Sequence, residues 1–103
     1  CYTFQLVEQP PAEQMFHENY AFFSSLSKNM CAHFESFSEM VMNRFISSRH
    51  DPFVVELGSN DGIMLQNFKN ENYRHLGVEP SSNVGDLARG KGIETISEFF
   101  SLE

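Results

Sequence analysis

The chain lacks any apolar run near the roughly 20 residues that a membrane-spanning helix needs. It has no charged-then-apolar leader of the secretory kind. Basic residues are few: seven Lys and Arg stand against fourteen Asp and Glu, for a formal net charge of -7. That balance argues against a nucleic-acid phosphate surface as partner and tolerates a cationic ligand. Cysteine is limited to Cys1 and Cys31, too few for a disulfide framework, so reduced thiols and a cytoplasmic setting are expected. An initiating Met is also lacking, and residues upstream of Cys1 are expected. A mature lipoprotein begins with Cys too, but Tyr2 to Val7 reads as a strand rather than a tether. What the chain does have is 103 residues, 41% of them hydrophobic and eleven of them Phe. That is enough for one small domain with a modest core.

Tyr2 to Val7 alternates weakly and predicts a strand. Glu8 to Glu13, with Pro10-Pro11, predicts a stiff extended linker. Met15 to Phe23 is rich in aromatics, and Ser24, Ser25 and Ser27 are candidate helix caps. From Leu26 the apolar positions Met30, Phe34, Phe37, Val41 and Phe45 recur at helical spacing, predicting one long amphipathic helix that ends between Ser47 and His50, before Asp51-Pro52. Phe53 to Leu57 is a near-continuous apolar run, as in a strand buried on both faces. A glycine turn, Gly58 to Gly62, leads to a helix over Ile63 to Lys69. A strand over His75 to Glu79, a helix over Asn83 to Arg89 closed by Gly90 or Gly92, and a short strand over Ile93 to Ile96 follow. This order predicts an α/β fold, half of a doubly wound, Rossmann-like sheet with three parallel strands, preceded by the long helix. Residues 1–25 are expected to be a linker and residues 26–103 part of a cofactor-binding domain.

In such a sheet a ligand lies beyond the carboxyl ends of the strands. Gly58 and Gly62 let the backbone turn tightly and approach it. Glu79 ends the next strand, about 20 residues after the glycine turn begins, where a carboxylate can accept ribose hydroxyls. The dinucleotide fingerprint requires glycines where this chain has Asn60 and Ile63, so a pyrophosphate would be crowded, and Asp61 would repel it. S-adenosylmethionine has an ammonium in its methionyl part instead, which Asp61, the Asn60 side chain or nearby carbonyls can receive. The residues therefore favour S-adenosylmethionine over NAD. Without that pairing of features, a lone glycine turn would read as an ordinary connection between strand and helix.

The chain resembles the sugar C-methyltransferases that act on nucleotide-linked deoxy-keto-hexoses. The matching stretches are Met15-Phe16-His17-Glu18-Asn19-Tyr20, Ser24-Ser25, Glu56 to Leu65, Arg74 to Ser82 and Lys91-Gly92-Ile93. Asn60 departs from the common Gly-x-Gly-x-Gly of S-adenosylmethionine enzymes but fits this family's Gly-Ser-Asn-Asp-Gly form. The resemblance implies methyl transfer from S-adenosylmethionine to a sugar carbon beside a ketone. Gly58, Asn60, Asp61, Gly62, Glu79 and Pro80 would hold the cofactor, and Phe99 would cover the adenine. It implies that Tyr20 lies near sugar and cofactor; the plainer reading of Tyr20 is aromatic packing. It implies an N-terminal zinc module in the longer parent, of which Cys1 is a remnant; one thiolate cannot hold a four-ligand zinc, so no metal is expected in this chain. It places the catalytic base downstream of Glu103.

His17, His33, His50 and His75 are therefore expected to be structural or on the surface, and Cys31 to be a core thiol. A fragment without later strands is expected to be inactive alone and to self-associate through an exposed strand edge. The remaining alternatives are another class of S-adenosylmethionine-dependent methyltransferase, or a non-catalytic nucleotide-binding half-domain.

Overall fold

The computed structural model describes residues 2–102. A single helical turn, α1 (Ala12–Met15), is followed by a 3₁₀ turn at Ser24–Leu26 and the long helix α2 (Lys28–Val41). A π-helical turn, Met42–Ile46, extends α2. Then come β1 (Phe53–Leu57), α3 (Leu65–Asn70), β2 (Arg74–Val78), α4 (Ser82–Gly90) and β3 (Thr95–Ile96). The strands form one parallel sheet in the order β1-β2-β3, with Phe53 beside Arg74 and Gly77 beside Thr95. This is the α/β, partial Rossmann-like arrangement that the sequence predicts.

Both crossover helices stop in the same way. After α4, Gly92 turns left-handed at φ 78°; the Ile93 N–H bonds to Ala88 O at 3.0 Å and the Gly92 N–H to Arg89 O at 2.8 Å. After α3, Asn72 takes that role at φ 60°, with Tyr73 N–H on Phe68 O at 2.9 Å. These are Schellman closures, and each sets an apolar residue back onto its helix. Ile93 joins Leu65, Phe68 and Ala88 in the core, and Tyr73 meets the Phe68 ring edge-on at 6.5 Å. Val54, Val41, Met42 and Ile46 pack around this cluster, so the core lies on the helix-covered face of the sheet. Each fully buried Leu or Phe contributes roughly 1.5–3 kcal/mol. The other face carries Phe53, Val55, Leu57 and Ile96, each about half exposed.

Three expectations are corrected. Tyr2 to Val7 forms no strand; nothing in the sheet pairs with it and its side chains are exposed. The extended stretch expected over Glu8 to Glu13 ends early, because Ala12–Met15 is helical directly after Pro11. The helix stripe is also rotated. Leu26, Phe37 and Phe45 face solvent, while Ser38 is fully buried. Ser38 can sit inside because its hydroxyl donates to Phe34 O at 2.7 Å and accepts from Asn67 Nδ2 at 3.4 Å. Phe37 instead stacks on His33, with ring centroids 6.5 Å apart.

Candidate functional site

Beyond the carboxyl ends of β1 and β2 lies a cleft of about 440 Å³, within the usual range for small-molecule sites. Gly58, Asn60, Glu79, Pro80, Phe99 and Tyr20 all line it. The local geometry explains how. Val78 O accepts the Gly58 N–H at 2.8 Å, which carries the chain out of β1 into the turn. Gly58, Asn60 and Gly62 all take left-handed φ, at 72°, 50° and 78°. Asn is the residue other than glycine that best tolerates that region. Gly62 is needed twice over, since a Cβ there would lie 2.3 Å from Ile93 Cδ1. Gly58 has open space around its Cα and faces the cleft.

Glu79 is buried at 4% exposure and anchors the site. Its Oε2 accepts the Asn60 N–H at 2.8 Å and its Oε1 the Ser81 N–H at 2.9 Å. A carboxylate has about four acceptor positions, so capacity remains on both oxygens.

Asn60 and Asp61, read from sequence as ligand groups, are turned toward another segment of the chain. Asn60 Oδ1 accepts the Ser24 N–H at 2.9 Å, and its Nδ2 donates to Phe22 O at 3.0 Å. Asp61 Oδ2 accepts the Ser25 N–H at 3.1 Å and a close hydrogen bond from the Ser25 hydroxyl. Its Oδ1 is buried with no partner among the described residues. Asn60 thus lines the cleft with its side chain already engaged, whereas Asp61 does not line it.

Tyr20 lines the cleft, and its ring packs on Phe16 at 5.6 Å. Phe16, Phe22, Ser24 and Ala12 complete the wall. Among the described residues, no histidine lines the cleft. His75 is half-buried, its Nδ1 2.9 Å from Tyr73 O and its Nε2 accepting the Glu94 N–H at 3.4 Å. Cys31 is half-buried, with its thiol 3.5 Å from Ser25 O. Cys1 lies outside the described residues. Among those described, no three His, Cys, Asp or Glu side chains converge as a metal site requires. No helix among them is long and apolar enough to cross a membrane.

The sequence reading missed Glu56. Its Oε2 is buried without a partner. Burial, and secondarily the nearby Glu79 carboxylate, pushes its pKa from 4.5 up to about 8. The signal was present in the sequence: an acid inside the apolar run Val54-Val55-Glu56-Leu57 is costly to bury. Asn83 and Lys91, which hold the cleft wall from outside, carried no such signal.

The fold and the cleft together place the chain in the open α/β class, with its cavity where ligands of such sheets bind. No family model matches the chain. It is 31% identical over 85 residues to the C-methyltransferase NovU of Streptomyces niveus. That overlap covers 82% of this chain and 20% of NovU, so the chain spans about a fifth of its relative's length. The identity supports a C-methyltransferase relationship.

Proposed function

We propose that this chain carries the first half of an S-adenosylmethionine site, in a methyltransferase that methylates a carbon of a nucleotide-linked keto-deoxysugar. The observation that carries this reading is the convergence of Gly58, Asn60, Glu79, Pro80, Phe99 and Tyr20 on one cleft beyond the strand ends. The lining suits the ligand at Glu79, whose carboxylate only accepts. Glu79 keeps acceptor capacity for ribose hydroxyls, and the backbone at Gly58 can approach a ligand without a side chain between them. The Asn60 side chain is occupied, so the ammonium of the methionyl part falls to backbone carbonyls of the turn. Phe99 and Pro80 offer apolar surface for the adenine, and Tyr20 lines the same cleft.

S-adenosylmethionine would supply an electrophilic methyl group carried on sulfur. The chain's own residues bind and orient it, which is the protein's share in cofactor chemistry. The sugar becomes nucleophilic when the acidic proton beside its ketone is removed, and we assign the base for that step to the longer protein. On this reading the 103-residue chain binds and does not turn over, and zinc belongs to the longer protein as well.

Calorimetric titration with S-adenosylhomocysteine, with NAD as control, tests this. Selective binding of S-adenosylhomocysteine is expected. Equal binding of NAD, or no binding of either, would overturn the reading of the cleft as a half-site. Turnover of a nucleotide keto-sugar by the longer protein then separates carbon methylation from methylation of oxygen or nitrogen.

A further inference from the structure

Residues 16–26 form one wall of the cleft, yet apart from one short turn they belong to no helix or strand. Their backbone is held instead by side chains of the α/β unit. Asn83 Nδ2 donates to Tyr20 O at 2.8 Å, and Asn60 bonds both Phe22 O and the Ser24 N–H. Asp61 accepts from Ser25. Lys91 Nζ donates to Ser25 Oγ and to Asp61 O, each at 2.9 Å, and stands 3.8 Å from Asp61 Oδ2. Lys91, Ser25 and Asp61 thereby form one hydrogen-bonded chain that ties α4, the aromatic strap and the glycine turn together.

Four features make this more than incidental packing. Each of these contacts between the strap and the unit joins residues 36 or more positions apart in sequence. All but those through the Ser25 hydroxyl read the strap's backbone, so they fix its path. Asn60 and Asp61 sit in the turn that meets the ligand. Asn83 and Lys91 line no part of the cleft, so any effect they have on a ligand passes through the strap.

From this geometry we infer that Asn83 and Lys91 are positioning residues, which with Asn60 and Asp61 latch residues 16–26 over the cleft and preset Tyr20 and Phe22 against the ligand. The inference rests on the cofactor reading above. It gives the Asn60 side chain a purpose at a position where dinucleotide-binding turns have glycine, and gives Asp61 beside it the same task of holding the strap. A preset wall spares the ligand the cost of ordering it.

Hydrogen exchange on the full chain, as wild type, Asn83→Ala and Lys91→Met, tests the latch without ligand. Exchange of residues 20–26 is expected to quicken in both variants while β1 and β2 keep their protection. Titration with S-adenosylhomocysteine should then show affinity reduced about threefold to tenfold, the loss expected from one hydrogen bond. Lys91→Arg should restore most of it. Unchanged exchange in the strap overturns the latch, as does a loss of protection that spreads equally through the sheet in both variants. Faster exchange with unchanged affinity overturns the positioning role. A wild-type chain that binds no S-adenosylhomocysteine overturns the cofactor reading and the positioning role with it, while the exchange comparison still decides whether the latch exists.

Discussion

Glu56 is the residue where the cost of the site is most visible. Its side chain is half-buried on the helix-covered side of an edge strand near Glu79, with Oε2 shut off from solvent and a pKa raised to about 8. The unfolded chain releases this proton near 4.5, whereas the folded chain keeps it to about 8. The folded state therefore binds more protons in that window, and stability falls as pH rises through it. Glu56→Gln keeps the shape and removes the charge. We expect the variant to be more stable than wild type near pH 8, with the difference shrinking toward pH 5. Denaturant unfolding at the two pH values measures it, and a difference independent of pH would count against a buried, protonated Glu56. Glu79, in contrast, is matched by two backbone N–H groups, so its burial is compensated.

Among the elements, α2 shows what periodicity can and cannot settle. Its start is local chemistry: Ser27 accepts the Met30 N–H at 3.3 Å, the capping role expected for one of the serines before it. Ser27→Ala is expected to cost about 1 kcal/mol, read by denaturant unfolding. A cost near zero would mean that tertiary contacts alone hold the helix start. The buried face of α2 was not legible from spacing, because Ser38 satisfies its own hydroxyl within the helix and so occupies a core position that looked polar. The strand and helix order of the α/β unit was legible, because each apolar run is bounded by Gly, Pro or Asn. The strap was not, since its contacts depend on partners far away in sequence.

For the molecule as a whole, the sheet leaves β1 paired on one side and its Phe53, Val55 and Leu57 half exposed. An unpaired edge with apolar side chains is a template for strand addition. We propose that the chain self-associates through this edge, giving a mass that rises with concentration in analytical ultracentrifugation. Val55→Lys, at a position already half exposed, should suppress the effect. A wild-type monomer at high concentration would refute it.

What the sequence determined by itself is local. Apolar runs and turn residues set three strands, two crossover helices and the glycine turn, and the spacing of Gly58 and Glu79 marked a cleft beyond the strand ends. Those features are encoded within a few residues of one another, so they can be read along the chain. Only the tertiary structure decided which way Asn60 and Asp61 point, that Glu56 lies half-buried near Glu79, and that residues 16–26 wall the cleft. Each of these depends on groups distant in sequence coming together, and a one-dimensional pattern holds no record of which groups meet.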